Sequence, residues 1–206
     1  MKLFGHPAST CTRKVLFTLA EKGIAHEFNI VDITKGEQKQ PAHLARQPFG
    51  VVPAIEDGDF KMYESRAIIR YLDAKHGGAS LTPTGLQDRA RMDQWISVEQ
   101  SYFSPTAMKA VMEIWYSSMQ GREADKSVIQ AGLEGTKRSL DVLDAALAGN
   151  EYLVGAFSLA DVCFAPYLQY LQDMGIDGNV KERANVSAWW SRVSGRSAWQ
   201  KAIGKG

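Results

Sequence analysis

Beyond about residue 86 this chain of 206 residues contains no strand-like run, and that change of texture limits its fold more than any other feature. Before it, short runs of alternating apolar and polar residues take turns with runs of helical period. Residues 2–4 read as a strand, and 12–22 as an amphipathic helix with Val15, Leu16, Leu19 and Ala20 on one face and Gly23 past its end. A second strand spans 26–31, a short helical piece 42–45 and a third strand 51–56. Asp57-Gly58 is a hairpin signal, and a fourth strand covers 60–63. Glu64-Ser65 then caps a helix that ends near Gly77-Gly78. The order is β-α-β-α-β-β-α, an α/β domain over 1–77. Residues 78–86, rich in Gly, Pro, Ser and Thr, form a linker, and 87–206 form an all-α bundle. Within it, helices are expected over 87–118, 124–147, 159–173 and 186–194, with a short piece near 197–203.

Composition narrows the function classes. With 24 basic and 23 acidic side chains there is no field of one sign to attract nucleic acid. No apolar stretch approaches the roughly 20 residues that span a bilayer, and Met1-Lys2-Leu3-Phe4 runs at once into a turn, leaving no room for a signal-peptide core. Cys11 and Cys163 are the only cysteines, too few for a disulfide framework or a zinc site. The expectation is a cytoplasmic protein with free thiols, no metal and no membrane partner.

Chemistry concentrates in residues 5–15. A Gly/Pro turn is followed by Ser9, Thr10, Cys11 and Thr12 at the mouth of a helix. Free backbone N–H groups and the helix dipole suit an anion there, and a thiolate is an anion. Serine before a helix is equally suited to plain capping. Pro53 within a strand pattern fits either an edge position or a cis Val52–Pro53 bond, which would turn the Val52 backbone outward. The residues alone leave both pairs of readings open. Ser158-x-x-Asp161 has capping-box spacing, with Phe157 and Val162 placed as its hydrophobic staple.

Six blocks in order carry a resemblance: Gly5-His6-Pro7-Ala8-Ser9 with Thr12-Arg13-Lys14-Val15, Pro48-Phe49-Gly50-Val51-Val52-Pro53-Ala54, Glu56-Asp57-Gly58-Asp59, Glu64-Ser65-Arg66-Ala67-Ile68, Gln94-Trp95-Ile96-Ser97-Val98-Glu99 and Ser158-Leu159-Ala160-Asp161. Over nearly its whole length the chain resembles the cytosolic glutathione S-transferases, most of all the phi class, whose first domain is thioredoxin-like. The resemblance implies a transferase with glutathione as co-substrate and no permanently bound cofactor. Ser9 matches the catalytic serine, whose hydroxyl would stabilise the glutathione thiolate. Glu64 and Ser65 would hold the γ-glutamyl end, Val52 with cis-Pro53 the cysteinyl part and Lys39 the glycyl carboxylate. Gln38 and Val51 depart from the phi pattern, which has histidine and glutamine there. Thr10, Cys11, Met112 and Trp115 would line an electrophile pocket. Met108, Met112, Trp115 and Met119 share one helix face, which is also what ordinary packing produces. Tyr102 and Phe103 are further candidates. Phe49 matches an aromatic key of a homodimer, with Arg66, Arg89 and Arg91 as polar contacts across the two-fold axis. Alternatives of the same fold are a glutathione-dependent peroxidase, a Cys11-dependent thiol transferase or dehydroascorbate reductase, and a ligand-binding protein without turnover.

Overall fold

A computed structural model describes residues 1–205. The first unit comprises Met1–Thr82 together with the chain from Gly195 onward. Its elements are β1 (Lys2–Gly5), α1 (Thr10–Glu21), β2 (Glu27–Ile30), α2 (Pro41–Leu44), β3 (Ala54–Asp57), β4 (Phe60–Tyr63) and α3 (Ser65–Lys75). The four strands form one mixed sheet in the order β2-β1-β3-β4. β1 runs parallel to β2 and antiparallel to β3, and β3 pairs antiparallel with β4 through the two-residue turn Gly58-Asp59. This is the expected thioredoxin-like order. Leu3, Val15, Leu19, Ile55, Ile68, Ile69 and Leu72 are completely buried between sheet and helices.

Several element ends move by one or two residues from the sequence reading, and two boundaries bear on the site. The third strand begins at Ala54, not at Val51, because the Val52–Pro53 bond is cis and proline has no N–H for the ladder. α1 begins at Thr10, not Thr12, because the Ser9 hydroxyl already accepts a bond from the Thr12 N–H at 3.3 Å. The expected apolar face of α1 also widens. Thr12, Lys14, Phe17 and Thr18 are buried, while Leu16 and Ala20 are only half-buried. α1 packs against α3 on one side and, on another, against a helix from the end of the chain, Ser197–Ala202.

The second unit, Pro83–Ser194, is helical. It contains α4 (Leu86–Val98), α5 (Ser104–Met119), α6 (Lys126–Leu147), α7 (Leu159–Asp173), α8 (Gly178–Lys181) and α9 (Ala184–Ser194). One turn of π-helix, Glu99–Phe103, joins α4 to α5, so the expected single helix over 87–118 is one rod with a widened turn. α10 (Ser197–Ala202), expected as the end of this bundle, belongs to the first unit. α5 and α6 approach so closely that a Cβ on Gly132 would lie 2.7 Å from the Ala110 backbone N. α7 starts at the capping box: the Asp161 carboxylate accepts from the Ser158 N–H at 2.9 Å, and Ser158 Oγ accepts from the Ala160 N–H at 3.3 Å. Asp161 also takes bonds from the Leu153 N–H and from Trp189 Nε1, at 3.2 and 2.8 Å. Among the described residues no helix is long and apolar enough to cross a membrane.

Candidate active site

Strand register brings three candidate segments, at Ser9, Val52–Pro53 and Glu64–Ser65, to one end of the sheet. Phe4 near the end of β1 pairs with Ala54 at the start of β3, and Ala54 pairs with Tyr63 at the end of β4. The chain therefore leaves β1 towards Ser9, enters β3 from Pro53 and leaves β4 towards Glu64, all at the same edge.

The β1–α1 turn is tied down by its own side chains. Ser9 N–H donates to the His6 carbonyl at 2.9 Å, and Ala8 N–H donates to His6 Nδ1 at 3.2 Å. Arg13 Nε donates to the Pro7 carbonyl at 2.8 Å, and His6 N–H donates to Thr12 Oγ1 at 3.3 Å. Gly5 admits this arrangement, because a Cβ there would lie 2.6 Å from Thr12 Cγ2. Ser9 Oγ uses a lone pair for the cap, which leaves its proton available to an acceptor. Thr10 and Cys11 occupy the first turn of α1, where N–H groups have no intrahelical partner. Cys11 is half-buried, and Cys163 is buried within α7; both are free thiols.

Before β3, the Val52 backbone N–H and C=O make no hydrogen bond among the described residues. An extended peptide can pair with them. After β4, Glu64 is the N-cap of α3 and the one non-glycine residue with positive φ among those described, at 71°. Such a conformation costs of order 1–3 kcal/mol and is concentrated at functional sites. It places an exposed carboxylate next to the buried hydroxyl of Ser65. Neither side chain has a hydrogen-bond or ion-pair partner among the described residues. The start of α3 thus offers an acid, a hydroxyl and helix N–H groups to a ligand with a carboxylate and an ammonium.

Lys39 closes a short 3₁₀ turn, Glu37–Lys39, and its Nζ donates to the Phe49 carbonyl at 3.2 Å. Gln38 turns inward, its amide donating to the Ile33 carbonyl at 3.4 Å, and the Val51 side chain is exposed. Phe49 is 68% exposed, with its ring edge-on to Tyr63 at 6.0 Å. Sequence reasoning missed two buried residues behind Val51, His43 and Gln47. Their i, i+4 spacing was the available signal, since it puts them on one side of a helical turn.

In the second unit, Met108, Met112 and Trp115 are half-buried and Met119 is exposed, whereas Ala107, Ala110 and Val111 are buried. The methionine stripe is therefore not the face that α5 buries. Trp115 stacks at a tilt on Tyr116, with centroids 5.2 Å apart. A separate groove of about 630 Å³ lies between the α4–α5 rod and α6, with Val98, Tyr102, Thr106 and Val142 among its walls.

Comparison with known proteins agrees with this fold. Residues 3–80 match the family model for the glutathione S-transferase N-terminal domain, and residues 105–197 match that for the C-terminal domain. Glutathione S-transferase F9 of Arabidopsis thaliana is 40% identical, over 100% of this chain and 97% of the relative. The crystal structure of glutathione transferase F7 from Populus trichocarpa superposes with a TM-score of 0.93 at 36% identity, covering 99% of this chain and 98% of that one. Glutathione S-transferase I from maize, in complex with an atrazine–glutathione conjugate, superposes with a TM-score of 0.90 at 33% identity, covering 99% and 96%.

Proposed function

The chain belongs to the glutathione S-transferase family and is phi-class-like, and on that footing we propose that Ser9 converts bound glutathione into its thiolate for attack on an apolar electrophile. It is a glutathione transferase that uses glutathione as co-substrate. The observation that carries the site assignment is the set of groups at one edge of the sheet without internal partners: the Val52 backbone, the Glu64 carboxylate and the Ser65 hydroxyl. Ser65 and the N-terminus of α3 take the γ-glutamyl carboxylate, and Glu64 faces the ammonium. Val52, held outward before Pro53, pairs with the cysteinyl backbone. Lys39 serves the glycyl carboxylate.

These contacts bring the thiol to the first turn of α1. A free thiol has a pKa of about 8.5 and is mostly protonated at neutral pH. A hydrogen bond from the Ser9 hydroxyl and the positive end of α1 favour the anion and lower that pKa. The thiolate sulfur then forms the new bond to carbon. The leaving group departs with its electron pair, and the thiol proton passes to solvent. The maize relative holds a product of this kind, an atrazine–glutathione conjugate. Met112 and Trp115 on α5, and Thr10 and Cys11 on α1, are assigned to electrophile choice. The two free thiols suit a reducing compartment, and we place the reaction in the cytoplasm.

The protein acts as a homodimer in this reading. Phe49 of one protomer enters the groove walled by Val98, Tyr102 and Val142 of its partner. Both features are exposed and apolar, with Tyr102 at 66% and Val142 at 50%, and each protomer supplies both, as a two-fold interface requires.

Three proteins, wild type, Ser9→Ala and Cys11→Ala, are assayed with glutathione against a chloronitrobenzene, cumene hydroperoxide and a mixed disulfide. Ser9→Ala is expected to lose most conjugation, on the order of a hundredfold, as when one donor to a developing anion is removed. Cys11→Ala is expected to keep it. Full conjugation in Ser9→Ala would sink the mechanism. Disulfide exchange alone, dependent on Cys11, would replace it with thiol transfer. Turnover of cumene hydroperoxide without conjugation would make the enzyme a peroxidase.

A further inference from the structure

Both polar groups of Val51 are gripped from inside the protein. Its carbonyl accepts from His43 Nε2 at 2.7 Å, and its N–H donates to Gln47 Oε1 at 3.4 Å. His43 is 4% exposed and Gln47 is 1% exposed. A carbonyl oxygen only accepts, so in the neutral ring Nε2 carries the proton and Nδ1 is a bare acceptor. That Nδ1 is buried and has no hydrogen-bond partner among the described residues. An unpaired buried acceptor costs about 1–3 kcal/mol. A phenylalanine has no such atom, so burial of a ring alone does not account for an imidazole here. Among the described residues, the ring's one hydrogen-bond partner is the Val51 carbonyl.

The consequence follows from the planarity of the peptide bond. The Val51 carbonyl and the Val52 N–H belong to the same peptide unit, which is trans, and they point in opposite directions. When His43 draws the carbonyl inward, the Val52 N–H is directed outward. We infer that His43 is a positioning residue for glutathione: its Nε2–H fixes the Val51–Val52 peptide plane and so aims the Val52 N–H at the tripeptide. This rests on the reading that Val52 binds the cysteinyl backbone.

His43→Phe keeps a buried ring and removes the donor, and His43→Gln returns a donor on a longer arm. The KM for glutathione is expected to rise about three- to tenfold in His43→Phe, the worth of one neutral hydrogen bond. The kcat and the KM for a chloronitrobenzene should stay unchanged, and His43→Gln should recover part of the loss. A His43→Phe enzyme with wild-type KM for glutathione overturns the inference. Equal losses in the Phe and Gln variants, or a fall in kcat with a rise in both KM values, would show a role in the fold and overturn it too. If His43→Phe does not fold, His43→Leu makes the same comparison with the Gln variant. The amide resonance of Val52 in the wild type separates this failure from that of the underlying reading. If glutathione leaves that resonance unmoved, the Val52 assignment itself falls; if it shifts while the variants bind normally, only the role of His43 does.

Discussion

Lys22 and Asp73 form an ion pair almost wholly withdrawn from water, with Nζ 2.9 Å from Oδ1 and each side chain 2% exposed. The same ammonium donates to the Ala79 carbonyl at 3.0 Å, and the same carboxylate accepts from the Leu81 N–H at 2.9 Å. The pair ties the end of α1 to the end of α3 and to the segment that follows it. Removing one partner strands the other, and breaking such a buried pair costs about 3–5 kcal/mol. Lys22→Met is therefore expected to lower the urea midpoint strongly, and Lys22→Arg, which keeps the charge, to lower it less. Burial pushes the Asp73 carboxyl upward, but the Leu81 N–H, a hydroxyl donor and Lys22 together hold it below its ordinary value of 3.8. The folded state thus binds this proton less tightly than the unfolded state. Its contribution is full above the unfolded value and is lost as pH falls through the folded one. Urea midpoints measured down the acid range should fall in the wild type, and Asp73→Asn should lack that part of the fall.

Ser65→Ala tests the γ-glutamyl contact. The hydroxyl has no partner among the described residues, so its removal leaves no internal donor or acceptor stranded. Stability should move by less than about 0.5 kcal/mol. The KM for glutathione should rise severalfold, with little change in the KM for the electrophile. A wild-type KM would remove Ser65 from the site.

Phe49→Ala is expected to shift the protein from dimer to monomer at micromolar concentration in analytical ultracentrifugation. Val142→Glu, which puts a charge in the groove proposed to receive Phe49, should do the same from the other side of the interface. A dimer that survives both changes is built on a different surface.

Asp161 receives four hydrogen bonds on two oxygens, from Leu153, Trp189 and both the N–H and Oγ of Ser158. Asp161→Asn keeps one accepting oxygen, so it is expected to lose part of the set. Asp161→Ala loses all of it, including the box that begins α7, and should be destabilised by about 3 kcal/mol or more. Chemical denaturation should order the variants wild type, Asn, Ala.

Much of this molecule is legible where local chemistry decides structure. Asp57-Gly58 signals the hairpin, whose turn falls one residue later at Gly58-Asp59, Ser158 and Asp161 begin α7, and Glu64-Ser65 marks the start of α3, because each of these acts within four residues of itself. Legibility fails where a distant segment decides. The helical period of α1 does not predict that Phe17 is fully buried, since Trp199, which packs on it, lies about 180 residues further on in the sequence. His43 and Gln47 escaped notice for a related reason. The carbonyl and N–H they serve belong to a loop, and a loop has no period from which to read its contacts. α8, at four residues, is too short to carry a period at all.

Trp199 is fully buried, with its ring centroid 5.1 Å from that of Phe17, and Arg196 grips Glu21 with a second contact at 2.8 Å. The sheet-bearing unit is therefore finished by residues that follow α1 by about 180 positions. During synthesis, Phe17 and its neighbours on α1 wait for their cover until Arg196 and Trp199 have left the ribosome. Throughout that interval the nascent protein carries an apolar seam, the kind of surface that chaperones bind.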